Sequence, residues 1–400
     1  MEKTIIKWIQ KIGLWLGPTG NEIHWLTKIC ISCFFLANFA QLIALFLAKN
    51  DPEKLFGCFS VLSFCGMGFI KLYSMQFRRD DWNFLLNQAF ILENDELNND
   101  DSTGVDYDTD DEDNDKFSGH ILVYSRKFLS TKSLLSQMYS FTGIVYILSP
   151  FIEYGIYKIK GEDVDWLHVL PVWSPLDISA FGYAATIIAE IVASVYCVSV
   201  HIVFDSFATG TMIFVCGQFS LLHAYSQRIG GSGKQFNLCQ ERDARAHYRI
   251  KKCHFIHVTL LRMVKQLDEI IRNIVGIYFF VATLTLCCVC IQLQSKDLSA
   301  TQLISLLQYM CATLTQLFLY CHYGDAVQNE SVVTLGEGPF ASAWWSLGIK
   351  IRSEVGILCI RMSRCCKLFA GPFNVLNLES FIQIVRTAYS YYAVLRQTSE

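Results

Sequence analysis

Five apolar stretches constrain this chain more than any other feature of its sequence. They cover residues 29–48, 55–77, 133–152, 273–294 and 298–324, and within them only Lys71 carries a formal charge. A helix needs about twenty predominantly apolar residues to cross a bilayer. With 52% hydrophobic and 17% charged residues in the whole chain, the sequence predicts an all-α membrane protein with several spans, embedded in the lipid bilayer.

A sixth apolar stretch, residues 178–227, contains Glu190 and is too long for a single crossing. As a helix it would measure about 75 Å, whereas the hydrocarbon core of a bilayer is roughly 30 Å thick. The stretch is therefore either two spans, or one span that continues as a helix into the cytoplasm.

Lysine and arginine distinguish these alternatives, because cytoplasmic segments hold the excess of them. With the N-terminus inside and one crossing by residues 178–227, the inside segments hold 25 of the 33 Lys and Arg residues and the outside segments hold 6. Two crossings would place the ten positive charges of residues 228–272 outside. The charge distribution favours one crossing with a long cytoplasmic extension.

The last apolar stretch, "SFIQIVRTAYSYYAVLRQ", carries Arg386 in its middle. A central Arg costs about 2.5–3.5 kcal/mol on an insertion scale, so this stretch would insert only marginally by itself. Polar residues in a span usually face a bundle interior or water. We therefore predict a seventh span that lines a wet path and leaves the C-terminus outside.

An acidic insert at about residues 93–116 separates the second and third spans. It holds twelve carboxylates from Glu93 to Asp115 and few large apolar groups. Such a composition predicts disorder, since the segment cannot bury enough apolar surface to offset the entropy of ordering. The segment lacks the glycine and final carboxylate of a calcium loop.

The sequence contains no pattern that indicates an enzyme, a cofactor, a metal centre or a nucleic-acid partner. "CHFIH", residues 253–257, lacks a second pair of ligands at zinc spacing. Glu190 lies within a span, where a carboxyl group is either satisfied by neighbours in the bundle or belongs to a ligand pocket.

The segment "LFAGPFNVLNLESFIQIVRTAYSYYAVL", residues 368–395, strongly resembles the C-terminal signature of insect odorant receptors. The length, the overlong fourth helix and "LYCHYGDAV" at the end of the sixth span are similar to that family as well. The acidic insert departs from the family pattern. A gustatory receptor of the same fold, or an unrelated transporter or membrane enzyme, remains the alternative.

The resemblance implies an odorant-gated, non-selective cation channel in the plasma membrane of olfactory neurons. Four subunits would surround one pore, and this chain would be a tuning subunit that binds a small volatile odorant and assembles with the shared co-receptor.

The predicted divisions are a cytoplasmic N-terminal segment (1–28), four spans with the insert and the extension (29–227), a cytoplasmic linker and the start of the fifth span (228–272), two further spans (273–324), the cytoplasmic anchor part of the last helix (325–371), and its pore-lining part with the extracellular C-terminus (372–400).

The resemblance also places an odorant pocket in the outer half of the bundle, among the second, third, fourth and sixth spans. Helical spacing within that region indicates aromatic, hydroxyl and small residues as ligand contacts: Phe69, Tyr73, Ser140, Gly143, Tyr146, Ile147, Tyr183, Ile187, Tyr309 and Thr313. The predicted pore face consists of Tyr391, Val394 and Thr398, and by resemblance Val394 forms the hydrophobic gate.

Overall fold

The structure, a computed structural model, describes residues 25–102, 114–160, 168–175, 179–231, 240–294 and 299–399. These residues are almost entirely helical, as the composition predicts. The helices are α1 (Trp25–Leu47), α2 (Pro52–Phe77), α3 (Arg79–Ser102), α4 (Asn114–Lys160), α5 (Ala180–Ser226), α6 (Gln240–Gln292), α7 (Ala300–Asn329), α8 (Glu337–Ala341), α9 (Ile349–Met362) and α10 (Leu378–Ser399), and a two-stranded hairpin, β1 (Phe369–Ala370) with β2 (Asn374–Val375), precedes α10.

Six of these helices are long and apolar enough to cross a membrane: α1, α2, α4, α5, α6 and α7. They correspond in order to the first six predicted spans. The final helix, α10, does not reach the same hydropathy because Arg386 and several hydroxyl groups lie within its 22 residues. Its role as a seventh span remains a prediction.

Three helices are much longer than a bilayer requires. The helices α4 and α5 each have 47 residues and α6 has 53, which corresponds to about 70–80 Å. Residues 180–226 form one uninterrupted helix, as expected for a single crossing with an extension. The segment 228–272, predicted as a linker and the start of the fifth span, contains the first part of α6, which begins at Gln240.

Local sequence signals set several helix starts at the ends of the apolar stretches. Asp51 caps α2 by accepting a hydrogen bond from Lys54 N at 3.3 Å, with Pro52 at the first helical position. Ser299 and Gln302 form a capping box at the start of α7. Both patterns satisfy amide groups that have no partner inside the helix.

The acidic insert is more ordered at its ends than we predicted from its composition. The helix α3 continues to Ser102 and α4 begins at Asn114, whereas residues 103–113 lie outside the described residues. Trp82, Leu85 and Leu92 on α3 are buried in the core. Once such a packed segment is helical, further residues join it at little net free-energy cost, because each gains a backbone hydrogen bond, and this accounts for the helical continuation into the acidic residues.

The hairpin before α10 is attached to α6 through backbone atoms. Gly371 N donates to Arg272 O at 2.7 Å, and Gly371 adopts a φ of +70°. A Cβ at Gly276 would lie 2.6 Å from Gly371 Cα. Glycine at both positions allows this approach, since one residue needs a left-handed conformation and the other leaves no room for a side chain.

Candidate functional site

A cavity of 1710 Å³ opens in the bundle, mainly between α2, α4, α5 and α7, and α1 and α6 also contribute residues to its wall. Four of the ten predicted ligand contacts line it: Gly143, Tyr146, Ile147 and Tyr309. Other residues of its wall include Phe64, Cys65, Thr142, Cys197 and Val198. A mainly apolar wall with a few polar groups is the usual form of a small-molecule site.

Gly143 has a packing role that its spacing alone does not predict. A Cβ at this position would lie 3.1 Å from Val198 Cγ2 on α5. Glycine therefore allows α4 and α5 to approach closely beside the cavity. We expected it mainly to leave space for a ligand.

The remaining six predicted contacts do not line this cavity. Phe69 and Tyr73 are 38% and 54% exposed on the outer face of α2, and Ser140 is exposed on α4. Ile187 and Thr313 are buried elsewhere in the bundle, and Tyr183 lies edge-on to His168 at 5.6 Å. On α4, Gly143 and Ile147 share a helical face with Ser140 and line the cavity, whereas the buried residues next to Ser140 are Tyr139 and Thr142.

A buried polar network that we did not predict lies beside the cavity and is centred on Asp205 of α5. Lys71 Nζ donates to Asp205 Oδ1 at 2.6 Å, and both side chains are 1% exposed. The same carboxylate accepts from the Tyr320 hydroxyl at 2.7 Å and from Gln316 Nε2 at 3.1 Å, both on α7. Tyr139 of α4 also donates to it. Four of the helices that line the cavity, α2, α4, α5 and α7, thus contribute to one network.

This network reaches the cavity wall through His201. The His201 ring stacks on Phe64 at 4.2 Å, and His201 Nε2 lies 3.1 Å from Phe64 O. His201 Nδ1 lies 2.9 Å from Lys71 Nζ. The ring therefore joins a residue of the cavity wall to the buried ion pair.

Two carboxylates form hydrogen bonds at the wall of the cavity, away from His201. Glu153 of α4 accepts from Ser299 Oγ at 2.7 Å and from Thr301 Oγ1 at 2.8 Å, at the start of α7. Glu190 of α5 binds the segment 168–173, which precedes α5 and lies against the cavity. Its partners are therefore in a connecting segment beside the cavity and are not the helical neighbours that formed one of the two alternatives.

The predicted pore residues lie near the C-terminal end of α10. Tyr391 and Val394 are 52% and 59% exposed in this single chain. Thr398 belongs to the same helix, but its side chain lies outside the described residues. The neighbouring Tyr392 hydroxyl accepts a hydrogen bond from Gln294 Nε2, just after α6.

Among the described residues, no group of three or more His, Cys, Asp or Glu side chains could hold a metal ion. The side chains of Cys253 and His257, from the "CHFIH" motif, are buried in the packing around α6. The cavity and its surrounding polar groups are therefore the strongest candidate for a functional site in the part of the chain that the structure describes.

The sequence model of the family described as "7tm Odorant receptor" matches residues 51–389. The chain belongs to the odorant receptor family. The match extends over most of the chain and includes the cavity, the polar network and α10 up to Tyr389.

Insect proteins related to this receptor have low identity but long alignments. Odorant receptor 82a of Drosophila melanogaster is 22% identical over 87% of this chain and 85% of its own length, and odorant receptor 13a of the same species is 23% identical over 69% and 68%. The odorant receptor coreceptor of Aedes albopictus is 20% identical over 44% of this chain and 37% of its own length.

A solved structure shares the receptor's fold. The insect olfactory receptor OR5 from Machilis hrabei, in complex with eugenol, has a TM-score of 0.75 and 16% identity, and the alignment covers 99% of both chains. At this identity the likeness shows the fold of the receptor and not its ligand.

Proposed function

We propose that this receptor is the odorant-binding subunit of a ligand-gated, non-selective cation channel in the plasma membrane of olfactory neurons. The observation that carries the proposal is the cavity between α2, α4, α5 and α7 in a member of the odorant receptor family. Its wall is mainly apolar and includes the hydroxyl-bearing residues Tyr146, Tyr309 and Thr142. Such a wall suits a small volatile with one hydrogen-bonding group.

Within this cavity, Gly143, Tyr146, Ile147 and Tyr309 contact the odorant. They lie on α4 and α7, the same two helices that reach Asp205 through Tyr139, Gln316 and Tyr320. A ligand can shift the channel toward an open state only by binding that state more tightly than the closed one.

The receptor acts as a tuning subunit within a heterotetramer that also contains the co-receptor. The long alignments to odorant receptors 82a and 13a, against a shorter one to a coreceptor, support this role.

In this proposal α10 is the seventh span, the N-terminus is cytoplasmic and the C-terminus is extracellular. The distribution of Lys and Arg, 25 inside and 6 outside, supports the orientation. The face with Tyr391, Val394 and Thr398 lines the pore, and a ring that includes Val394 closes it by excluding water.

Whole-cell recording tests the proposed function. Cells that express the receptor together with a co-receptor should show cation currents in response to some members of a broad panel of volatiles. Cells with the co-receptor alone serve as the control for currents that do not need this chain. A receptor that reaches the surface with the co-receptor and gives no odorant-dependent current above that control would contradict the proposal.

A further inference from the structure

The segment 168–173 forms the outer wall of the cavity. Val169, Leu170, Pro171, Val172 and Trp173 all line it. Val169 and Leu170 are each 3% exposed, so the segment is packed against the bundle. These residues belong to none of the helices that contribute to the rest of the wall, which are α1, α2, α4, α5, α6 and α7.

Glu190 determines where this segment lies. Its Oε2 accepts from Val169 N at 2.8 Å and from Leu170 N at 3.1 Å, and His168 Nδ1 lies 2.8 Å from its Oε1. Glu190 is only 2% exposed. A buried carboxylate is costly unless it is fully hydrogen-bonded, and bonds to a charged acceptor are stronger than neutral ones. These hydrogen bonds therefore fix the backbone amides of Val169 and Leu170 next to Glu190 on α5.

Two further contacts hold the segment at its other end. Ser174 Oγ lies 3.1 Å from Thr186 Oγ1, one turn before Glu190 on α5. Trp173 N donates to Ala40 O of α1 at 3.4 Å. The segment is thus fastened to α1 and α5 while its apolar side chains border the cavity.

The cavity is large enough for the segment 168–173 to contact only part of the odorants that could bind in it. A volume of 1710 Å³ exceeds the roughly 300–1,000 Å³ of ordinary small-molecule pockets. A short odorant seated against Phe64, Tyr146 and Tyr309 would leave the outer part of the cavity unfilled. A longer odorant from the same position would reach Leu170 and Val172.

We propose that the segment 168–173, held by Glu190, is a second specificity element of the odorant site, which binds the far apolar end of extended odorants. Glu190 is a positioning residue in this arrangement, because it acts through the backbone of Val169 and Leu170. The inference rests on the proposed function, since it assumes that the odorant occupies this cavity.

A homologous series of straight-chain esters of increasing length tests the inference in cells that express the receptor with a co-receptor. Glu190→Gln keeps the shape of the side chain but removes its charge and replaces one acceptor oxygen with an NH₂ group, which can only donate. We expect the half-maximal concentration to rise about tenfold for the long esters and less than twofold for the short ones. Leu170→Ala, which shortens a wall residue directly, should show the same dependence on length.

Glu153→Gln is the matched comparison, because it makes the same change at another carboxylate beside the cavity that binds Ser299 and Thr301 instead. We expect any shift that it causes to be similar for short and long esters. If Glu190→Gln shifts all esters equally, or shifts none, the segment has no role in selecting odorants by length.

Thiol labelling separates this inference from the proposed function, because it needs no odorant. A cysteine at Val172 should react with a charged, externally applied thiol reagent several-fold faster in the Glu190→Gln background than in the parent background. Receptors without the added cysteine give the contribution of native thiols. Equal labelling rates in the two backgrounds would overturn the positioning role of Glu190, whereas a parent without odorant currents would count against the proposed function only.

Discussion

Lys71 and Asp205 form an ion pair of 2.6 Å in the interior of the bundle, although 134 residues separate them in the sequence. Neither side chain is more than 1% exposed. Tyr320 and Gln316 provide further donors to the same carboxylate. Because a buried charge without a partner is strongly unfavourable, each member of this pair depends on the other.

We expect removal of either charge alone to destabilise the receptor. Lys71→Met and Asp205→Asn should each lower the free energy of unfolding by about 3–5 kcal/mol, and the double variant should recover part of that loss. Lys265→Met is the control, because its ion pair with Glu269 is 3.8 Å long and exposed, and such pairs contribute about 1 kcal/mol or less. Thermal stability of the detergent-purified receptor measures the effect, and single variants as stable as the control would refute it.

Changes at Gly143 and Tyr146 should alter the response to odorants. Gly143→Leu places a larger side chain at the contact with Val198 and in the cavity, and Tyr146→Phe removes a hydroxyl from its wall. Loss of one hydrogen bond corresponds to about 0.5–1.5 kcal/mol, or roughly a two- to tenfold change in potency. Dose–response curves for a panel of odorants provide the measurement.

Ser140→Ala is the control for that experiment, since Ser140 lies on the exposed side of the same helix. Its dose–response curves should match those of the parent. An unchanged ranking and potency in both the Gly143 and the Tyr146 variants would remove these residues from the odorant site.

A smaller side chain at Val394 should weaken the closed pore. Val394→Ala is expected to raise basal current or to change relative cation permeability while the same odorants remain active, because a less apolar constriction admits water more readily. The effect should be partial in a heteromer, where the co-receptor supplies the rest of the ring. Unchanged current and permeability, together with a cysteine at Val394 that no pore-entering thiol reagent reaches, would exclude Val394 from the gate.

The acidic insert should be dispensable for gating. Deletion of residues 103–113 leaves the described parts of α3 and α4 in place, and odorant currents at normal surface expression should persist. Neutralising all twelve carboxylates from Glu93 to Asp115 would change the net charge from −3 to +9, so trafficking or local cation concentration can still change. Loss of current in the deletion variant at normal surface expression would contradict this prediction.

The two termini should lie on opposite sides of the membrane. A tag after Glu400 should be labelled on intact cells, and a tag before Met1 only after permeabilisation. Surface staining of both tags on the same cells measures this directly. A C-terminal tag that is labelled only in permeabilised cells would rule out an outward C-terminus.

The sequence predicts the first six spans because the hydropathy of a membrane helix is a local property. Residues 180–226 form one continuous helix, which agrees with the single crossing that the charge count favours. The orientation of each helix about its own axis is not local, because it depends on the helices around it. This is why Ser140 was expected beside the cavity, whereas in the structure it is exposed and its neighbour Tyr139 is buried.

The Asp205 network could have been partly anticipated. Lys71 and Asp205 are opposite charges inside apolar helices, and such residues usually pair with one another. The hydrogen bonds from Gln316 and Tyr320 could not, since polar and aromatic residues are frequent on α7 and only packing selects among them. The binding of Glu190 to an irregular segment likewise requires knowledge of where that segment lies.

The contact between Gly276 and Gly371 has a consequence for mixed assembly. A pore shared by unlike subunits requires their pore helices to begin at the same depth, although their side chains differ. Here that depth is set by main-chain atoms, through the bond from Gly371 N to Arg272 O and the close approach of the two glycines. If α10 lines the pore of the proposed heteromer, its starting point in the ring of subunits would stay the same while side chains diverge between receptors.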